Sequence, residues 1–141
     1  MRTVTDSSAL ARLYLSEPGA DALDAVLAET AELGLCVLCL PEVVSALRRH
    51  RREGRIAQHG YRRAIEQLTA DVRDAVTLQL TSAVIAAAVR LLETGPLRAS
   101  DALHAACAIE WQADLFVTGD RRQAAAAAQA GLTVRVLGAS L

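Results

Sequence analysis

Lysine is absent from this 141-residue chain, and all 15 basic residues are arginine. That absence removes every mechanism built on an ε-amino group: a P-loop phosphate clamp, a Schiff-base enzyme, and receiver or phosphatase sites with an essential lysine. Aromatic residues are scarce at 3% of the chain, namely Tyr14, Tyr61, Trp111 and Phe116. So few cannot build a base-stacking platform of the RRM or OB type. An excess of one charge is also missing. Fifteen basic residues against 16 acidic ones leave a formal net charge of −1, which argues against a uniformly basic nucleic-acid binder.

The cysteines number three, an odd count that suits a reducing compartment better than a disulfide framework. Cys36-Val37-Leu38-Cys39 has CxxC spacing, but no second pair or nearby histidine completes a zinc site. Read within a strand, positions three apart face opposite sides, so both are expected to pack in the core, like Cys107 in its apolar helix. The longest apolar runs, Leu33 to Leu40 and Ala83 to Val89, are far too short to span a bilayer, and no stretch of signal-peptide length follows Met1-Arg2. The expectation is a cytoplasmic protein with no membrane partner. With 52% hydrophobic residues, the chain from 1 to 141 is expected to be a single domain that can bury its own core.

Short apolar runs alternate with longer helical ones. This pattern predicts a three-layer α/β/α sandwich around a mostly parallel central sheet of about five strands. Strands are expected at 2–5, 35–39, 76–80, 115–118 and 133–137. Helices are expected at 7–15, 20–32, 41–52, 56–73, 82–93, from Ser100 or Asp101 to 112, and from Asp120 to 131. Pro41 falls in a first turn, where its missing N–H costs nothing, and Thr81-Ser82 has the chemistry of an N-cap.

In an open parallel sheet the carboxyl ends of the strands and the amino ends of the following helices meet along one edge, where such folds place ligands. Four acids stand at or near those junctions: Asp6, Glu42, Asp101 and Asp120. Each alone is explained as a carboxylate capping free N–H groups. Together they would repel and take up protons unless a cation sat between them. Magnesium or manganese prefers a few carboxylate oxygens, retains water and leaves positions for phosphate oxygens, which suits phosphodiester hydrolysis. Zinc is the weaker reading because His50, His59 and His104 lack paired spacing. His104 lies within reach of the edge but reads as a packed helix histidine.

The residues around these acids resemble the PIN-domain ribonucleases, specifically the VapC-type toxins of bacterial VapBC toxin–antitoxin modules. Val4-Thr5-Asp6-Ser7-Ser8-Ala9-Leu10, continuing to Glu17-Pro18-Gly19, is similar to that family's first strand and helix. Leu40-Pro41-Glu42-Val43-Val44 resembles the segment with its glutamate. Leu97-Arg98-Ala99-Ser100-Asp101-Ala102-Leu103-His104 and Phe116-Val117-Thr118-Gly119-Asp120 resemble the third and fourth acidic motifs. Gly119 departs from the polar or aromatic residues often found there. The resemblance implies that Asp6, Glu42, Asp101 and Asp120 form an acidic catalytic pocket, with Asp6 and Asp101 the most direct Mg²⁺ or Mn²⁺ ligands. It implies that Thr118 orients Asp120 or a water. It further implies endoribonuclease activity on structured RNA, such as tRNA or an rRNA loop, and inhibition by a cognate VapB-type antitoxin. In such complexes a toxin homodimer is wrapped by antitoxin segments that can push a basic side chain into the pocket.

The charges are unevenly spread. Arg48, Arg49, Arg51, Arg52, Arg55, Arg62 and Arg63 fall in one window, and Asp21, Asp24, Glu29 and Glu32 in another. Arg48, Arg49, Arg51, Arg52, Arg121 and Arg122 are candidates for contact with RNA phosphates or with a partner. A solvated helix face would carry the same pattern. Leu47, Ile56, Ile65 and Leu68 read as apolar anchors for an antitoxin or a second subunit. The alternative function is a catalytically silent PIN-like module that binds RNA or protein. A receiver-like domain also places an acid after its first strand but needs the missing lysine.

Overall fold

The computed structural model describes residues 1–138, so the single-domain expectation over 1–141 reaches three residues outside the described ones. Five parallel strands form one sheet: β1 (Arg2–Thr5), β2 (Glu32–Cys36), β3 (Val76–Leu78), β4 (Leu115–Thr118) and β5 (Val134–Val136), in the order β3-β2-β1-β4-β5. The seven helices among the described residues are α1 (Ser7–Leu15), α2 (Ala20–Ala28), α3 (Cys39–Arg52), α4 (Gln58–Asp74), α5 (Ser82–Thr94), α6 (Ala99–Glu110) and α7 (Arg121–Gln129). This is the expected three-layer α/β/α sandwich. None of these helices is long and apolar enough to cross a membrane.

The layers follow from strand alternation, because successive side chains point to opposite faces of a sheet. In β2, Leu35 joins a core with Leu10, Val43, Leu47 and Leu68 from α1, α3 and α4, while its neighbour Cys36 joins Ala87, Leu91, Ala105 and Phe116 on the other side. In β4, Phe116 faces α5 and α6, whereas Leu115 and Val117 pack with Ala9, Leu23 and Val26 of α1 and α2. The interface of α5 and α6 is built from alanines, including Ala87, Ala88, Ala102, Ala105 and Ala106, all buried, so the two helices approach closely.

Several boundaries differ from the expected ones. The second strand spans Glu32–Cys36 instead of 35–39 because its register is set by β1, which pairs Arg2 with Glu32 and Val4 with Gly34. Arg2 also bridges to Glu32 at 3.3 Å. The helix expected to reach Glu32 therefore stops at Ala28, after which the N–H groups of Ala31 and Glu32 bond to the Met1 carbonyl. Cys39 is not in a strand but opens α3. The expectation that all three cysteines pack in the core holds: each is free and buried. Gly34 is required by a neighbour, since a Cβ there would lie 2.6 Å from Cζ3 of Trp111. The helix expected over 56–73 runs from Gln58 to Asp74.

The order β3-β2-β1-β4-β5 places the reversal of winding between β1 and β4. At such a switch point the loops leaving the two strands diverge to opposite faces and open a crevice at their carboxyl ends. Asp6 follows β1 and Asp120 lies two residues beyond β4, so the crevice is flanked by carboxylates.

Candidate active site

The four acids are brought to that crevice by four helix starts. Asp6 is the N-cap of α1, Glu42 lies in the first turn of α3, Asp101 in the first turn of α6, and Asp120 is the N-cap of α7. All four line one cavity of about 200 Å³, with Ser7, Ser100, Arg98 and His104 in the same wall. A larger cavity of about 560 Å³ lies among α1, α2 and α4. Its Asp71 is already bonded to Tyr14 Oη at 2.6 Å and Gln67 Nε2 at 2.9 Å. The smaller, acidic cavity is where titratable groups converge.

Asp6 is the most confined of the four, at 3% exposed. The Ala9 N–H donates to its Oδ1 at 2.8 Å as the helix cap, Thr118 Oγ1 lies 2.5 Å from Oδ2, and the Ser8 hydroxyl bonds to the carboxylate at 2.9 Å. Burial pushes its pKa above the usual carboxylate range, and the bonds from Thr118, Ala9 and Ser8 counter this only in part. Thr118 thus serves Asp6 first. It also accepts from the Asp120 N–H at 3.0 Å and sits 3.1 Å from Gln123 Oε1, so the expectation that it orients Asp120 describes only part of its bonding.

Glu42 accepts from the Ser7 hydroxyl at 2.7 Å and pairs with His104 Nε2 at 2.5 Å. The His104 bond, ahead of opposing desolvation, holds the Glu42 pKa below its usual range. Burial works against a charged His104, but the bond to Glu42 and the surrounding negative charge prevail and raise its pKa. Its Nδ1 is buried with no partner among the described residues. His104 is therefore both the packed helix histidine of the sequence reading, at 2% exposed, and a member of the pocket wall, which that reading did not assign. Its place three residues after Asp101 was the available signal.

Asp101 is not a helix cap. The N-cap of α6 is Arg98, which makes no side-chain cap bond, so the Asp101 carboxylate is committed to no helix N–H as a cap. Burial and the charges of Asp120 and Glu42 raise its pKa, against Arg98 and His104. Asp120 does cap its helix, accepting from Arg122 N at 2.8 Å and Gln123 N at 3.2 Å. Gln123, fully buried, ties the two sides together by donating to the Asp101 carbonyl at 2.8 Å. Arg98 and Ser7 are pocket residues that sequence reasoning missed; Ser7 follows Asp6 directly and Arg98 stands three residues before Asp101.

The arginine candidates separate. Arg49 lines a cavity of about 300 Å³ that shares Ser7, Ser8 and Glu42 with the acidic wall. Arg48 stacks over the Tyr61 ring at 5.6 Å, and Arg51 bonds to Gln58. Arg52 is exposed on the last turn of α3, and Arg121 and Arg122 are exposed beside Asp120. The proposed apolar anchors are wholly or partly taken up by the core. Leu47 and Leu68 are 0% exposed, and Ile56 and Ile65 pack against the same core. The arginine-rich helices are amphipathic, with Leu47 on the inner stripe of α3 and Ile65 and Leu68 on that of α4, while Ile56 lies in the connection between them.

Two observations test whether the pocket suits a divalent cation. The donors are hard carboxylate oxygens, and Asp6 and Asp101 both have raised pKa values from burial, with Asp120 and Glu42 adding repulsion at Asp101. A cation relieves that strain, so the donor chemistry fits Mg²⁺ or Mn²⁺. Among the described residues no three His, Cys, Asp or Glu side chains are close enough to cage an ion. A hard ion held by one or two carboxylates and several waters does not need such a cage.

The model of the PIN domain family matches residues 3–129. The chain belongs to the PIN domain family. Solved structures with the same fold include VapBC2 from Rickettsia felis bound to a DNA fragment from its promoter, with a TM-score of 0.68, 12% identity, and 97% of this chain and 99% of that one covered. VapBC-1 from nontypeable Haemophilus influenzae aligns with a TM-score of 0.70 at 12% identity over 96% of this chain and 98% of that one. VapC20 from Mycobacterium tuberculosis, a sarcin-ricin loop cleaving toxin, aligns with a TM-score of 0.67 at 16% identity over 93% and 96%. No curated protein matches the chain in sequence.

Proposed function

We propose that this chain is a VapC-type toxin of a type II toxin–antitoxin module, an endoribonuclease that hydrolyses a phosphodiester of structured RNA with Mg²⁺ or Mn²⁺. The observation that carries the reading is the convergence of Asp6, Glu42, Asp101 and Asp120 on one cavity at the carboxyl edge of the sheet. Membership in the PIN domain family and the fold shared with VapBC toxins support it. Asp6 and Asp101 would hold the cation directly, with Glu42 and Asp120 completing the acidic wall. When bound, a divalent ion there supplies a water of lowered pKa and positive charge opposite the phosphate.

The chain's own groups prepare that chemistry. Thr118 and the Ala9 N–H fix the Asp6 carboxylate in one orientation. The pairing with His104 keeps Glu42 ionised and aimed into the cavity. Arg98 stands at the pocket wall as a cation that a phosphate oxygen can reach. Neither a serine nor a cysteine nucleophile is needed. The partners under this reading are RNA, a VapB-type antitoxin and a second copy of the toxin, and the setting is the cytoplasm.

The test is incubation of total cellular RNA with the purified protein and Mg²⁺ or Mn²⁺, with EDTA and Asp101→Asn as controls. Discrete new RNA 5′ ends that vanish in both controls are expected. Undiminished cleavage by Asp101→Asn would overturn the mechanism. Absence of cleavage together with RNA binding would favour the catalytically silent module.

A further inference from the structure

Arg12, on the outer face of α1, is held in a cradle that the sequence pattern does not announce. Its Nη1 donates to the Pro18 carbonyl at 2.6 Å and its Nε to the Ser8 carbonyl at 3.3 Å. Two glycines make room for the guanidinium. A Cβ on Gly119 would collide with Nη2, and one on Gly138 would collide with Nη1. Gly138 also has φ +67, and Gly19 packs against it, with a Cβ at Gly19 only 2.9 Å from the Gly138 nitrogen. Three chain segments therefore close around one side chain.

The position of this cradle matters because Gly119 directly precedes Asp120, and its N–H donates to Ser8 Oγ, which in turn bonds to Asp6. Arg12 lines the 300 Å³ cavity that adjoins the acidic pocket through Ser7, Ser8 and Glu42. None of the ion pairs among the described residues involves Arg12. A guanidinium has five N–H donors, and two are used here on carbonyls. Among the described residues no carboxylate lies within ion-pair distance of the remainder, although Glu17 lines the same cavity. A cation fixed in orientation, with no ion-pair partner among the described residues, and set beside a cluster of acids is the arrangement that receives an anionic group held at arm's length from that cluster.

We propose that Arg12 is a binding residue for an RNA backbone phosphate flanking the one in the acidic pocket, and that Gly119 and Gly138 exist to seat it. The inference rests on the nuclease reading for the identity of the anion. Arg49, in the same groove, extends the track along α3. The chain thus supplies both halves of the electrostatics: acids where the bond is broken, and a fixed arginine where the strand is held.

The experiment measures two quantities on wild type, Arg12→Ala, Arg12→Lys and, as control, Arg90→Ala on α5. The first is filter binding of bulk tRNA in EDTA over a range of salt. The second is steady-state cleavage of the same RNA with Mn²⁺. Arg12→Ala should weaken binding and raise KM about tenfold, leave kcat within about twofold, and lower the slope of log affinity against log salt by about 0.7–0.9. Arg12→Lys should keep the salt slope while recovering only part of the affinity. Arg90→Ala should match wild type. An unchanged KM and salt slope in Arg12→Ala, with wild-type cleavage intact, would overturn this proposal and leave the nuclease reading standing. Binding that responds to Arg12 without any wild-type cleavage would overturn the nuclease reading and support the phosphate contact. A wild-type protein that neither binds nor cleaves the RNA would overturn both.

Discussion

Thr118 and Thr5 are both fully buried threonines at the carboxyl ends of adjacent strands, yet valine should affect them in opposite ways. The Thr118 hydroxyl lies 2.5 Å from Asp6 Oδ2, accepts from the Asp120 N–H at 3.0 Å and sits 3.1 Å from Gln123 Oε1. Thr118→Val keeps the shape and strands all three. Loss of a hydrogen bond to a charged group costs about 1.5–3 kcal/mol, and an unsatisfied buried acceptor adds to it. A total near 3 kcal/mol is expected, which for a domain of this size lowers Tm by about 10 °C. The Thr5 hydroxyl has no partner among the described residues, so Thr5→Val removes an unsatisfied group and should leave Tm unchanged or higher.

The pH dependence follows from the same geometry. Burial raises the Asp6 pKa and the Thr118 bond opposes that rise. A group with a raised pKa in the folded state favours folding at low pH, and that advantage is lost as pH rises through its folded value. Removing Thr118 raises the Asp6 pKa further, so the stability deficit of Thr118→Val should grow from acid to neutral pH. Thermal melts of both variants from pH 4 to 8 provide the assay. Equal destabilisation by the two substitutions, or a deficit that shrinks with pH, would refute the reasoning.

Phe116, 0% exposed in the middle of β4, should cost about 3–5 kcal/mol as Phe116→Ala in urea unfolding, because the tightly packed alanine helices α5 and α6 cannot collapse into the space. The Glu42–His104 pair should add a pH-dependent contribution. The lowered Glu42 pKa gives stability that is lost as pH falls through the folded value, and the raised His104 pKa gives stability that is lost as pH rises through its own. The contribution is full between about 4.5 and 6.5, and His104→Gln should flatten both limbs of a stability-against-pH curve. Mn²⁺ at about 100 times its Kd should stabilise the fold by about 2.7 kcal/mol, read as a thermal shift that Asp101→Asn abolishes.

The alternation of strand and helix was legible in the sequence because each apolar run is short and each helix is amphipathic, and the acids at Asp6 and Asp120 were legible because they punctuate strand ends. The limits of β2 were not. The run Leu33 to Leu40 is apolar on both sides of the turn into α3, and only pairing with β1 decides where the strand stops. Leu47, Ile56, Ile65 and Leu68 looked like anchors among arginines, although amphipathic helices place such residues as Leu47, Ile65 and Leu68 inward and Ile56 of the connecting loop packs on the same core. Arg98 and His104 stand three residues either side of Asp101, a local signal, whereas the meeting of Arg12 with Gly119 and Gly138 joins segments far apart in the chain, and local patterns carry no record of it.

The central claim is that carboxylates from separate strand-to-helix junctions form one cation site. The most direct measurement is the anomalous scattering of crystals soaked in Mn²⁺. The account predicts a peak within ligand distance of Asp6 and Asp101, facing Glu42 and Asp120, and absent from crystals of Asp101→Asn. A Mn²⁺ peak elsewhere, with none in this pocket at a concentration that supports RNA cleavage, would contradict it.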